Sequence, residues 1–290
     1  MHRSAMRTFR STLPRLNLSP VGTTNTLLPI RYHIFRTPLP YSVGLNLQND
    51  IIDLRLKARE GSSDILLLLE HLPTYTTGRR DHSPYQNELH PEEKKVQDVG
   101  AEFHITKRGG QVTYHGPGQL VGYPLLDLNA MEGLLADYVR ETHGLDGILA
   151  PHPDGHVGVF ASPTEKLASI GIHLRHRITS HGFSLNVTSE PLKWFDLVLA
   201  CGLDDVKATS LHELLKAKAG RADEPTVQDV ARGLIPCFEE VFGREMKALQ
   251  AEGEGLDEVR ELVSAAEKEA ERVAERDGWR REPDLSKRSM

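Results

Sequence analysis

Five consecutive apolar residues, Ile65-Leu-Leu-Leu-Leu69, stand between two acids, Asp64 and Glu70, and no uninterrupted apolar run in the chain is longer. Strand side chains alternate between faces, so a strand that is apolar at every position has to be covered on both. Periodicity alone does not separate helix from strand over so short a run. Read as a strand, it belongs in the middle of a sheet with a layer packed on each side. It also falls far short of the roughly 18 to 20 apolar residues that cross a bilayer. With 290 residues, 39% of them apolar and 26% charged, the chain has the material for such a core, which excludes wholesale disorder.

From Ile30 onward, strand-like and helix-like segments alternate without an internal repeat. Ser42 to Arg59 reads as a helix. Pro73 to Pro91 reads as a loop carrying Thr76, Thr77, Gly78, Arg79 and Arg80, and Phe103 to Thr106 as a strand. The strand Leu120 to Leu128 contains Pro124, which lacks a ladder donor and so points to an edge or a bulge. Ala130 to Thr142 is helical in composition, and Gly144 to Gly155 is a loop. Val157 to Phe160 and Leu167 to Leu174 form a hairpin about Ser162-Pro-Thr-Glu165, followed by a strand from Ser180 to Val187. Trp194 to Leu199 is amphipathic, and helices span Ser210 to Lys218 and Val227 to Phe242. Beyond residue 245 the chain is highly charged, but Leu256, Val259, Leu262, Val263, Ala266 and Ala270 recur at helical spacing, so a solvated helix lying on the body is expected. The whole reads as one α/β (α+β) domain with a mixed central sheet flanked by helices.

Charge is unevenly distributed. The first acid is Asp50, and six arginines precede it: Arg3, Arg7, Arg10, Arg15, Arg31 and Arg36. The remainder is acidic, with 29 basic residues against 41 acids, which argues against nucleic-acid binding by bulk charge. An Arg-rich, Ser- and Thr-rich, acid-free leader has the composition of an organelle transit peptide. A mitochondrial presequence over residues 1–29, a catalytic domain over 30–245 and a charged helical tail over 246–290 are the expected divisions. Two cysteines, Cys201 and Cys237, cannot build a disulfide framework, so a reducing compartment is expected and either residue would act as a thiol.

The chemistry concentrates in Arg108-Gly-Gly-Gln-Val-Thr-Tyr-His-Gly-Pro-Gly-Gln119. Gly109-Gly110 allows backbone to approach a ligand, and Pro117-Gly118 suits the centre of a type II turn. Tight turns need the same residues for structural reasons alone, but Arg108, Tyr114 and His115 are not turn requirements. Cys201 ends an apolar segment and precedes Gly202. Taken alone it is as compatible with a small buried hydrophobe as with a nucleophile, since a free thiol reacts well only where a cation stabilises its thiolate. Lys166 is such a cation, although spacing does not place it beside Cys201. Cys237, within a helix beside Phe238, reads as core. His173, His176 and His181 have no carboxylate in register and read as surface or supporting histidines, so no metal site is expected.

Four blocks in order carry a resemblance: Arg108 to Pro124, Lys166-Leu-Ala-Ser-Ile-Gly-Ile172, His181-Gly-Phe-Ser-Leu-Asn-Val187 and Ala200-Cys-Gly202. The chain resembles the lipoyl(octanoyl) transferases, the lipoate biosynthesis protein B family, in a eukaryotic mitochondrial form, over roughly residues 30 to 245. The resemblance implies a fold like that of biotin and lipoate protein ligases. It implies transfer of an octanoyl group from acyl carrier protein to a lysine of lipoyl domains, those of 2-oxoacid dehydrogenase E2 subunits and glycine cleavage H protein, in the mitochondrial matrix. Cys201 matches the nucleophile that becomes an acyl-thioester, and Lys166 the residue that lowers its pKa. Substrate-binding segments map to Arg108, Gly109, Gly110, Gln111, Val112, Thr113, Tyr114 and His115, to Ser169, Ile170 and Gly171, and to Gly182, Phe183 and Ser184. Neither a cofactor nor a metal is implied, because exchange between thioesters conserves the high-energy bond without ATP.

Two departures stand out. The segment between Leu128 and Val157 is shorter than the family usually has, and the tail beyond Phe242 lies outside the resemblance. An ATP-dependent lipoate or biotin protein ligase would share the fold without needing Cys201 and Lys166. A non-catalytic lipoyl-domain-binding protein would keep the pocket without turnover. An acidic carrier protein meeting an acidic enzyme body needs a local basic patch, for which Arg79, Arg80, Arg175, Arg177 and Lys193 are the choices.

Overall fold

A computed structural model describes residues 28–57, 63–79, 93–126, 157–176, 178–197, 206–220, 223–251, 255–277 and 282–287. The leader, the helix expected over 130–142, the loop expected over 144–155, Arg80, Arg177 and Cys201 lie outside these residues.

The strands are β1 (Ile30–Ile34), β2 (Ile65–Leu69), β3 (Thr74–Thr77), β4 (Glu102–Ile105), β5 (Thr113–His115), β6 (Gln119–Leu125), β7 (Val159–Ser162), β8 (Glu165–Arg175), β9 (Ile178–Asn186), β10 (Lys207–Ala208) and β11 (Met246–Ala248). The helices are α1 (Tyr41–Lys57), α2 (Glu93–Asp98), α3 (Glu190–Phe195), α4 (Leu211–Ala219), α5 (Val227–Phe242) and α6 (Asp257–Asp277). β2 sits inside a mixed eight-stranded sheet of order β10-β8-β9-β6-β2-β1-β11, with β7 paired to β8. Its side chains go to both faces, as an all-apolar strand requires. Leu66 and Leu68 join one core with Leu234 and Phe238 of α5, while Ile65, Leu67 and Leu69 join another with Ile51 and Ile52 of α1.

The stretch expected as a loop after Pro73 instead begins with β3, the central strand of a second, three-stranded sheet of order β4-β3-β5. Turn residues around Tyr75 masked it, but all four residues of β3 are buried, and Tyr75 packs with Val96, Tyr114 and Trp194 in a third core. Pro124 lies on no edge, since β6 is flanked by β2 and β9. The β6–β9 register runs from Gln119↔Asn186 to Gly122↔Phe183 and stops short of Pro124. Beyond that point the Thr179 hydroxyl accepts from Leu126 N and meets the Pro124 carbonyl at 2.7 Å.

Helix ends follow the punctuation in the sequence. Ser210 and Thr226 accept from the backbone N–H three residues on, and Gly220 and Gly243 close α4 and α5 in the left-handed region. The charged tail packs on the same body rather than trailing from it. β11 pairs in parallel with β1, and Leu256, Val259, Val263, Ala266 and Ala270 of the α6 segment are buried with α1.

Candidate active site

A cavity of about 130 Å³ lies between the small sheet and the β6–β9–β8 part of the large one. β5 contributes by strand alternation. Thr113 and His115 border the cavity, whereas Val112 and Tyr114 turn to the third core, where Tyr114 stacks on Trp194 at 5.2 Å between ring centroids. Val112 and Tyr114, expected among the binding residues, thus hold the small sheet instead. Gln111, Gly110 and Arg108 complete that wall. Gly109 stays outside the lining and fastens the loop to β8, its N–H donating to the Ile172 carbonyl at 3.2 Å. Ser169, Ile170, Gly171, Gly182, Phe183, Ser184 and Lys166 form the opposite side.

Arg108 organises the glycine loop as well as bordering the cavity. Buried to 6% exposure, it donates through Nε to Thr76 Oγ1 at 3.0 Å, through Nη1 to the Gly109 carbonyl and through Nη2 to the carbonyls of Thr76 and Gln111. The loop presses against Gly78 so closely that a Cβ there would meet the Gly110 carbonyl oxygen at 2.1 Å, and Gly110 itself has φ +87°.

Five further residues border the cavity that pattern reading missed: Tyr41, Val121, Tyr123, Val157 and His181. Tyr41 opens α1, and nothing in its local pattern marks it. His181, expected at the surface or in support, is only 6% exposed. Behind Tyr123 lies the fully buried His71. Its Nδ1 must donate to the Leu39 carbonyl at 3.0 Å, which leaves Nε2 to accept from the Tyr123 hydroxyl at 2.5 Å. The same logic fixes His115. Gln119 Nε2 donates to the Tyr114 carbonyl and Asn186 Oδ1, so Gln119 Oε1 is the acceptor for His115 Nδ1–H at 2.8 Å, and His115 Nε2 carries a lone pair.

Desolvation dominates the titration of these groups. Burial pushes His71 down to about 4 and, with Arg108 adding to it, His181 down to about 3; His115 is held well below its ordinary value by burial and then by His71 and Arg108. Burial pushes Tyr41 up to about 12. At neutral pH all these rings are uncharged, and no carboxylate among the described residues borders the cavity. Arg108 and Lys166 supply its charge, so the site favours an anion, whether a thiolate or the oxyanion of acyl transfer. Thr113 Oγ1 is buried there with no hydrogen-bond partner, a loss of about 1 to 3 kcal/mol that a polar group of a ligand would offset.

Lys166 is half-buried, its stem lying across Gly158 and its Nζ 5.4 Å from the centre of the Phe160 ring. The described chain leaves at Leu197 and returns at Val206. On its return β10 pairs in parallel with β8, matching Ala208 to Lys166, and Thr209 N donates to the Lys166 carbonyl at 2.9 Å. Cys201 falls within that interval and so outside the described residues, while Cys237 is partly buried against the core of α5.

Residues 40–239 match the family described as the lipoyl protein ligase A/B catalytic domain. An octanoyltransferase of Acidobacterium capsulatum is 39% identical over 247 residues, covering 78% of this chain and 95% of its own. One from Koribacter versatilis is 34% identical over 82% and 94% respectively. The mitochondrial octanoyl-[acyl-carrier-protein]:protein N-octanoyltransferase LIPT2 of Danio rerio is 36% identical over 70% and 88%. Among solved structures, lipoate-protein ligase A bound with ATP superposes with a TM-score of 0.54 at 15% identity, over 82% of this chain and 95% of that one. LipL1 of P. falciparum in complex with lipoate gives 0.55 at 11%, over 86% and 73%. These two likenesses concern the fold alone.

Proposed function

The chain belongs to the lipoyl protein ligase A/B catalytic domain family, among its octanoyltransferases, and from that premise we propose that its cavity receives an octanoyl group from acyl carrier protein and passes it, through a thioester on Cys201, to a lysine of a lipoyl domain. The chain is thus an acyltransferase of protein lipoylation. The observation that carries the fuller reading is that Lys166 and residues Arg108, Gly110, Gln111, Thr113 and His115, far apart in sequence, border one cavity with no carboxylate among the described residues, and that the described chain resumes after Cys201 alongside Lys166.

In the proposed first step the Cys201 thiolate attacks the octanoyl carbonyl carbon. A carbon–sulfur bond to Cys201 forms, the bond to the carrier's sulfur breaks, and the carrier departs as a thiolate that takes up a proton. In the second step the acceptor lysine, having lost one proton, attacks the acyl-cysteine. The amide forms, the amine gives up its second proton, and the Cys201 thiolate is regenerated. Lys166 stabilises that thiolate before the first step and after the second; the first step exchanges one thioester for another and the second spends the thioester on the amide, so ATP is not consumed.

The acceptors in this reading are lipoyl domains of 2-oxoacid dehydrogenase E2 subunits and glycine cleavage H protein. A mitochondrial matrix location draws support from the acid-free leader and from the Danio rerio relative, while the bacterial relatives carry the same activity name without an organelle. Docking of an acidic carrier is assigned to Arg79 and Lys107, with Arg175, itself paired with Asp53 at 2.8 Å, beside them. Desolvation and then these three cations lower the pKa of His173, so they share one neighbourhood beside the cavity loop, where Arg79 N donates to the Arg108 carbonyl. Lys193 is tied to Glu282 and takes no part.

The test is a transfer assay with octanoyl-acyl carrier protein and a lipoyl domain. Octanoylated lysine should form without ATP, and salt should slow the reaction with carrier protein more than that with a small octanoyl thioester. Transfer only from free octanoate with ATP would overturn the proposal in favour of a ligase.

A further inference from the structure

The face of β9 that borders the cavity carries a local backbone irregularity, although its register with β8 runs unbroken from Ala168↔Leu185 to Arg175↔Ile178. Four consecutive residues, His181 to Ser184, line the same space. The irregularity is at His181, which with His176 is one of two non-glycine residues of positive φ among the described residues, at φ +58°. His176 sits in the turn between β8 and β9, where such a conformation is ordinary. His181 lies inside a strand, where the left-handed region is strained for a residue with a Cβ. Beside it, Gly182 crowds β6 so tightly that a Cβ would lie 2.1 Å from the Gly122 carbonyl oxygen and 2.5 Å from Pro124 Cδ.

Something outside the strand must hold this backbone. The His181 N–H donates to Gln48 Oε1 at 2.7 Å, a buried bond between residues 133 apart in sequence. Gln48, on α1, is fully buried, and its Nε2 donates in turn to the Gly44 carbonyl of its own helix at 3.3 Å. The carboxamide can face only one way, because a carbonyl accepts and an N–H donates. Gln48 therefore joins the helix that supplies Tyr41 to the strand that supplies His181, across the cavity wall.

We propose that Gln48 is a positioning residue that clamps the kinked backbone at His181, so that His181 and the three residues after it face the substrate cavity. The proposal rests on the reading of that cavity as the octanoyl site. Two readouts test it. Gln48→Met keeps the bulk of the side chain and removes the acceptor, and is expected to speed hydrogen exchange of the His181 amide about tenfold and to lower kcat/KM by about the same factor, as loss of one buried hydrogen bond would. His181→Ala keeps the backbone N–H that Gln48 holds, so it should lower kcat/KM while its residue-181 amide still exchanges slowly. Gln48→Glu, which retains an acceptor oxygen, should restore slow exchange at His181 and covers the case in which Gln48→Met does not fold. Unchanged exchange at His181 in Gln48→Met, or faster exchange with unchanged kcat/KM, would overturn the proposal. Failure of the octanoyl reading is recognised separately, as absence of transfer by the wild-type protein, and the exchange measurement reads the clamp in either case.

Discussion

Lys166 and Arg108 do different work at the cavity although both are cations. Arg108 has its donors committed to the backbone of Thr76, Gly109 and Gln111, and so fixes the glycine loop and contributes field. Lys166 reaches the cavity on a stem over Gly158 and Phe160, beside β10, where the described chain resumes after Cys201. A cation close to a thiolate favours the charged form, so removing it should raise the thiol pKa. Lys166→Met is accordingly expected to shift the pH profile of Cys201 alkylation to higher pH. An unmoved profile would separate the two residues. Arg108 and His115 were legible in the sequence because glycines and unusual polar residues crowd between apolar strands there, whereas Ser169–Gly171 and Gly182–Ser184 followed from the family resemblance alone. Tyr41, Tyr123 and His181 were not legible, since their place depends on how α1 and the kinked β9 meet the small sheet, a tertiary matter with no local pattern.

At the scale of elements, strong hydrophobic patterns proved readable and mixed ones did not. The all-apolar β2 announced a central strand, and the stretches read as helices, Ser210 to Lys218 and Val227 to Phe242, fold as α4 and α5. β3 was missed although Thr and Tyr favour strands, because its four residues are bracketed by the turn residues Pro73 and Gly78, and its place between β4 and β5 reveals it. In the tail the apolar stripe, read within a highly charged segment as a helix lying on the body, is buried in the core that α1 shares. Leu249, Leu256, Val259 and Val263 are each 6% exposed or less. Burying such side chains contributes about 1.5 to 3 kcal/mol apiece, which together is comparable to the roughly 5 to 15 kcal/mol that stabilises a whole domain. A chain ending at Glu245 is expected to lose its cooperative thermal unfolding transition or to melt at least about 10 °C lower, on the usual scaling of stability with Tm. An unchanged transition would show that α6 and β11 are dispensable to the body.

For the whole molecule, two sheets and the helix α1 converge on one cavity whose rings are neutral and whose charges are positive, beside a small basic neighbourhood on a body that is otherwise acidic. That arrangement suits a chemistry in which an anion, the thiolate, is the working group and an acidic protein is the visitor. The central claim is that the acyl chain rests covalently on Cys201 between its two carriers, and an intact mass spectrum tests it directly. Protein incubated with octanoyl-acyl carrier protein, without an acceptor, should gain the mass of one octanoyl group, localised by peptide mapping to Cys201. The added mass should disappear when a lipoyl domain is supplied. Turnover that proceeds with no acyl-enzyme at any time, or with full rate in Cys201→Ser, would contradict the account.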